Sequence, residues 1–128
     1  MRLTICLTAA LALSISSAQA SAHPAHAKAS FQLDGTTWTF SMKDVKYKES
    51  IDADGKYITQ TLAGKHFDHG TAVMRDGKAC FTSAMTKDGQ ICWSVSPVAI
   101  GHRLHSVNDK GDKLTVTRVA YTPMQMPH

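Results

Sequence analysis

The fold of this chain is most constrained by its pattern of short segments, in which apolar and polar residues alternate. Glycine turns separate these segments. From Phe31 onward apolar residues recur at every second position, as Trp38, Phe40 and Met42 do, and no stretch keeps a helical period. The turns are Asp54-Gly55, Asp76-Gly77, Asp88-Gly89 and Lys110-Gly111-Asp112. Such consecutive hairpins predict an antiparallel meander of seven or eight short strands. We expect Trp38 and Trp93 to be buried on inward faces.

A meander of this size leaves two unpaired edges, and closing into a barrel or folding over into a sandwich removes or protects them. We therefore predict an all-β fold with a small barrel, and a β-sandwich as the alternative. The run Gly35-Thr36-Thr37-Trp38 is similar to the glycine-then-tryptophan start of calycin-type barrels such as lipocalins and small periplasmic protease inhibitors. The lipocalin pattern has one residue between glycine and tryptophan, whereas this chain has two. We assign no family.

The cysteines Cys80 and Cys92 flank one of the Asp-Gly turns and predict a disulfide within that hairpin. A strict two-residue turn would not place them opposite each other, so the bridge requires a wider tip around residues 84–88. In that register Phe81 lies opposite Ile91, and apolar side chains share one face of the hairpin. Redox pairs are usually separated by two residues at a helix start, so we expect a structural bridge on the outer, more polar side.

The first twenty residues have the order of a secretory signal peptide: Arg2, an apolar run over 3–15, and a small-x-small cleavage site ending at Ala20. The apolar run is too short to cross a bilayer, so we expect no membrane span. The expected organisation is a cleaved signal peptide at 1–20, a disordered tail at 21–30, the β domain at 31–121 and a disordered tail at 122–128. The signal and the predicted disulfide indicate a periplasmic or secreted protein.

Charge and residue usage argue against two classes of function. The chain has 14 Lys and Arg against 10 Asp and Glu, and the basic residues are scattered among acidic ones instead of forming a stripe for nucleic acid. Glu49 is the only glutamate, most aspartates lie in turns, and no serine lies in a nucleophile elbow. We therefore predict a non-catalytic protein that does not bind nucleic acid. We also expect a monomer.

Histidine placement suggests a metal site. All histidines except His128 fall in pairs spaced three residues apart, and two imidazoles at that spacing share a metal only where the backbone is turned or helical. The pair His66 and His69 lies between Gly64 and Gly70, which favours a turned backbone, and Asp68 could supply an oxygen ligand. Solvated surface histidines are the alternative interpretation of every pair.

Both tails carry residues that suit copper. Cleavage after Ala20 would begin the chain with Ser21-Ala22-His23, which resembles the amino-terminal motif that holds Cu(II) or Ni(II) in a plane of four nitrogens. The opposite tail ends with Met124, Met126 and His128, whose thioethers and imidazole suit Cu(I). The alternative interpretation is that both tails are linkers without a function.

Two function hypotheses follow. The first is an exported, disulfide-bonded β domain that binds a protein surface, as an inhibitor would, or a small apolar ligand in a barrel mouth, without a cofactor. The second is a periplasmic copper-binding protein that uses the two tails together with His66 and His69. The residues do not identify the partner or ligand.

Overall fold

The computed structural model describes residues 31–127, which form eight antiparallel strands. The strands are β1 (Thr36–Met42), β2 (Val45–Ile51), β3 (Lys56–Thr61), β4 (His66–Arg75), β5 (Lys78–Ser83), β6 (Gln90–Ser94), β7 (Arg103–Val107) and β8 (Lys113–Val119). Within this range no helix is long and apolar enough to cross a membrane. The prediction of an all-β fold built as one antiparallel meander is confirmed.

The sheet is nearly closed because the two ends of the meander meet. Its order is β6-β5-β4-β3-β2-β1-β8-β7, and β1 pairs with both β2 and β8. The gap lies between β6 and β7, where a single bridge joins Trp93 to Asn108. The hydroxyl of Ser106 also donates a hydrogen bond of 2.6 Å to the Ser94 carbonyl across this gap. The barrel prediction is therefore confirmed over the sandwich.

The hairpin turns use backbone conformations that the sequence predicts, with one exception. The four predicted turn glycines have φ between 75° and 86°. The β1–β2 turn lacks glycine, and Lys43 and Asp44 themselves adopt φ of 48° and 66°. Two consecutive positive φ values match the right-handed twist of the flanking strands. The β1–β2 connection is therefore a tight two-residue turn.

The core lies inside the barrel and is centred on Trp38, which is 5% exposed. Its indole Nε1 donates a hydrogen bond of 2.8 Å to Thr36 Oγ1, and the Phe31 ring packs edge-on against it. The buried cluster comprises Leu33, Trp38, Ile51, Tyr57, Ala72 and Ala79. Trp93 also faces inward but is only half-buried, because it lines a cavity instead of packing into this cluster. The burial prediction is thus confirmed for Trp38 and only partly for Trp93.

The β5–β6 hairpin has the predicted register, with Cys80 opposite Cys92 and Phe81 opposite Ile91. A disulfide joins the two cysteines, and residues 84–89 form the wider tip. Phe81 and Ile91 face the barrel interior, so the bridge lies on the outer side of the sheet. Closing a loop of this length stabilises the fold by about 3 kcal/mol in the chain-entropy model. A structural disulfide of this kind is typical of oxidising compartments.

Residues after β8 run across the outside of β1 and β2. The backbone N–H of Thr122 donates to Thr37 Oγ1 at 2.8 Å, and Ser50 Oγ donates to the Thr122 carbonyl at 2.6 Å. Both hydroxyl residues are buried by this contact, and their own oxygens are 2.8 Å apart. This anchor directs Met124 and Met126 along the outer face towards β3 and β4.

Candidate functional site

The barrel interior contains a cavity of about 370 Å³. Pockets that bind small molecules in proteins are typically ~300–1,000 Å³ and mainly apolar. Six aromatic side chains line this one: Trp38, Phe40, Tyr57, Phe67, Phe81 and Trp93. Phe67, which is 48% exposed, and the exposed loop residues Thr86 and Asp88 border the cavity, so it opens to solvent at this end.

A carboxylate held by two hydroxyl groups lies in the cavity wall. Tyr57 donates a hydrogen bond of 2.8 Å to Asp68 Oδ2, and Ser83 donates one of 2.6 Å to Asp68 Oδ1. Burial, together with the hydrogen bond to Asp68, raises the pKa of the Tyr57 phenol, so that this group remains a donor. The arrangement fixes the side chain of Asp68 on the inner face of β4.

The hydroxyl of Ser83 also connects the cavity wall to the loop at its mouth. Its oxygen accepts hydrogen bonds from the backbone N–H groups of Met85 and Thr86, at 3.0 and 3.2 Å. A serine hydroxyl has one hydrogen to donate, and here that hydrogen points to Asp68. The start of the 84–89 loop is therefore tied to the carboxylate inside the barrel.

A second carboxyl group, that of Glu49, lies inside the barrel beside the first. Strand register places Glu49, Thr59 and Asp68 in one row across β2, β3 and β4. Thr59 donates a hydrogen bond of 2.7 Å to Glu49 Oε2. Burial raises the pKa of Glu49 from 4.5 to about 7, the Thr59 hydrogen bond opposes this shift, and the Asp68 charge adds to it. Near neutral pH this group therefore changes between its neutral and its ionised form.

The charges around the cavity are all of one sign. Glu49, Asp68 and Asp88 contribute carboxyl groups to its lining, whereas no Lys, Arg or His of residues 31–127 lines it. This composition contrasts with the chain as a whole, whose net charge is +4 with neutral histidines. The described lining therefore combines apolar aromatic walls with acidic groups and without a basic one.

The imidazoles of His66 and His69 meet on the outer face of β4. The Nε2 atom of His66 lies 3.1 Å from Nδ1 of His69. The prediction of a turned backbone at this pair is wrong, because the backbone is extended and contains a β-bulge. Thr59 pairs with Asp68 and Gln60 pairs with His66, so Phe67 has no partner residue on β3. The extra residue brings both histidines to the same face, which a regular strand would not do. The Nδ1 atom of His66 is buried and has no hydrogen-bond partner in the described part of the chain.

The carboxyl-terminal methionines Met124 and Met126 share a groove with one of these histidines, His69. Met124, Met126 and His69 all line one groove of about 380 Å³ on the outside of the barrel, together with Asp52. Asp68, the oxygen ligand expected from the sequence, points to the opposite face and into the barrel. Within residues 31–127 no group of three or more His, Cys, Asp or Glu side chains is placed to hold a metal ion. Any metal in this groove would therefore depend on thioether ligands.

Three of the predicted ligands lie outside the described residues. Ser21 and His23 precede the range that the structure describes, and His128 follows it. The amino-terminal copper motif therefore stays a prediction. The structure brings His66 together with His69, places His69 in one groove with Met124 and Met126, and separates Asp68 from all of them.

The position of Glu49 and Asp68 inside the barrel was not predicted from the sequence. Glu49 lies two residues from both Tyr47 and Ile51, whose alternation indicates an inward face, so residue parity alone could have found it. A charged residue is usually exposed, so the residue type of Glu49 argued against the inward position that its parity indicates.

Comparison of this chain with known protein families, curated proteins and solved structures gives no match.

Proposed function

We propose that this protein binds a small, mainly apolar molecule inside its barrel and is exported to an oxidising compartment. The observation that carries the proposal is the aromatic-lined cavity of about 370 Å³ with an open mouth. The sequence suggests two kinds of partner, a protein surface and a small ligand, and an interior cavity favours the small ligand. The signal-like residues 1–20 and the Cys80–Cys92 disulfide support the export.

Binding can be tested with N-phenyl-1-naphthylamine, a neutral apolar dye that fluoresces when it leaves water. We expect a saturable increase in fluorescence with one equivalent of dye. Trp93 lines the cavity and is half-buried, so Trp93→Ala should weaken binding about tenfold or more, as for a buried aromatic anchor. The control is Leu62→Ala, because Leu62 is 54% exposed and lies outside the cavity. Failure to saturate, or equal losses in both variants, would contradict the proposal.

A second candidate function is copper binding on the outer face. The observation that favours it is the shared groove of His69, Met124 and Met126, since one imidazole and two thioethers form a donor set that suits Cu(I). The adjacent His66 has an Nδ1 atom without a hydrogen-bond partner among residues 31–127. The amino-terminal Ser21-Ala22-His23 motif would instead suit Cu(II), so the oxidation state separates the two sites.

A Cu(I) titration against the chelator bicinchoninate, with ascorbate as reductant, tests the groove. We expect one equivalent of Cu(I) to compete with the chelator. Replacing Met124 and Met126 together with leucine, or His69 with alanine, should weaken Cu(I) binding at least about tenfold, because each change removes ligands. Met85→Leu is the matched control, since Met85 is 54% exposed in the β5–β6 loop. Unchanged affinity in both groove variants would exclude this site.

A further inference from the structure

The acidic lining of the cavity limits the kind of ligand that can fill it. Three carboxyl residues, Glu49, Asp68 and Asp88, line it, and no basic residue in the described range does. An anionic ligand would be repelled by carboxylates at close range, and the described lining supplies no cation to compensate. A positively charged ligand would supply the missing charge inside the barrel.

The two inner carboxyl groups have free acceptor capacity. Each oxygen of Asp68 accepts one hydroxyl hydrogen, which leaves lone pairs on both. Glu49 accepts from Thr59 through Oε2, and its Oε1 has no side-chain or backbone donor within residues 31–127. Nδ1 of His66 is the only fully buried side-chain nitrogen or oxygen without a partner among the described residues, so Oε1 of Glu49 is accessible from the cavity. Donor hydrogens of a ligand can complete both groups.

The aromatic walls favour an organic cation over a metal ion. Calcium requires six to eight oxygen ligands, whereas the inner part of this cavity presents two carboxyl groups among apolar side chains. Phe81 and Trp93 line the cavity, and aromatic rings can attract an ammonium ion and cover an apolar body. The cavity thus combines acidic groups for the charge of an amphiphilic amine with aromatic walls for its apolar body.

We propose that the ligand of the barrel is a small organic amine, protonated to an ammonium ion, that places its charge between Glu49 and Asp68 and its apolar body against the aromatic walls. This inference rests on the proposed function, because it requires that the cavity holds a small ligand. It adds the chemical class of that ligand and assigns the recognition of its charge to two named side chains.

Three probes with the same phenylbutyl body and different ends test the inference: 4-phenylbutylamine, 4-phenylbutanol and 4-phenylbutyrate. Isothermal titration calorimetry of the mature protein at about pH 8 keeps the amine protonated and ionises most of Glu49, whose pKa burial raises to about 7. We expect the amine to bind at least about tenfold more tightly than the alcohol, and the alcohol more tightly than the carboxylate.

The variants Asp68→Asn and Glu49→Gln locate the charge preference. Each should weaken amine binding about tenfold and leave alcohol binding within about twofold, because only the amine carries a charge. Retained binding of the alcohol also shows that the variant barrel is folded. Asp76→Asn removes one negative charge from an exposed turn outside the cavity and should leave the affinities of all three probes unchanged.

The outcomes separate the two proposals. Equal affinities for amine and alcohol, or tighter binding of the carboxylate, would overturn the inference about the amine while leaving ligand binding intact. If Asp76→Asn weakened amine binding as much as Asp68→Asn, the preference would come from net charge, and the inference would again be wrong. Absence of binding by all three probes would overturn the proposed function as well.

Discussion

Replacement of Trp38 by alanine is expected to lower the free energy of unfolding by about 3–5 kcal/mol. Trp38 is 5% exposed and belongs to the central core cluster. Its removal would leave a cavity, because the surrounding strands are joined by hydrogen-bonded ladders and can collapse only partly. The change also removes the indole donor of the 2.8 Å hydrogen bond to Thr36 Oγ1.

Urea denaturation followed by circular dichroism measures this effect. Ile100→Ala is the matched control, because Ile100 is 60% exposed, and its unfolding free energy should change by less than about 0.5 kcal/mol. If Trp38→Ala were as stable as the control, Trp38 would not belong to the core, and the inward face of β1 would be wrongly assigned.

Replacement of Glu49 by glutamine is expected to stabilise the protein at alkaline pH by up to about 3 kcal/mol. Burial raises the pKa of Glu49 from 4.5 to about 7, so the folded protein holds this proton more tightly than the unfolded chain does. Its contribution to stability is therefore full below about pH 4.5, falls as the pH rises to about 7 and then stays constant. Glutamine is neutral throughout and can still accept a hydrogen bond from Thr59.

The measurement compares unfolding free energies of the two proteins between about pH 4 and pH 8. The difference in unfolding free energy should be near zero at about pH 4. It should grow between pH 4.5, the ordinary pKa of Glu49, and about pH 7, its pKa in the folded protein. Ile100→Ala, which changes no titratable group at an exposed position, should show no such growth. A difference that is constant across this range would mean that the pKa of Glu49 is not raised by burial.

The strands and the hairpin register could be predicted from the sequence because they depend on local properties. Residue parity determines which side chains share a face, and the turn glycines supply the positive φ of the hairpins. The facing of Cys80 and Cys92 followed from one geometric condition, that a bridge must close. Closure into a barrel was favoured by the need to remove sheet edges.

The site was less predictable because it depends on contacts between distant segments. The bulge at Phe67 arises from the pairing of β3 with β4. Because of it, the backbone at the histidine pair is extended and not turned as predicted. Barrel closure turns Glu49 and Asp68 towards a common interior, where both line the cavity. The position of the methionines depends on the anchor at Thr122, to which no local pattern points.

The most direct test of the central claim is the position of a bound probe in the protein. Intermolecular nuclear Overhauser effects can be recorded for isotope-labelled protein saturated with 4-phenylbutylamine. We predict effects from the phenyl protons of the probe to the side chains of Phe81, Ile91 and Trp93, which line the interior. Effects only to residues of the outer face would contradict the claim that the barrel interior is the binding site. Tyr121, which lines the outer groove together with Met124 and Met126, is such a residue.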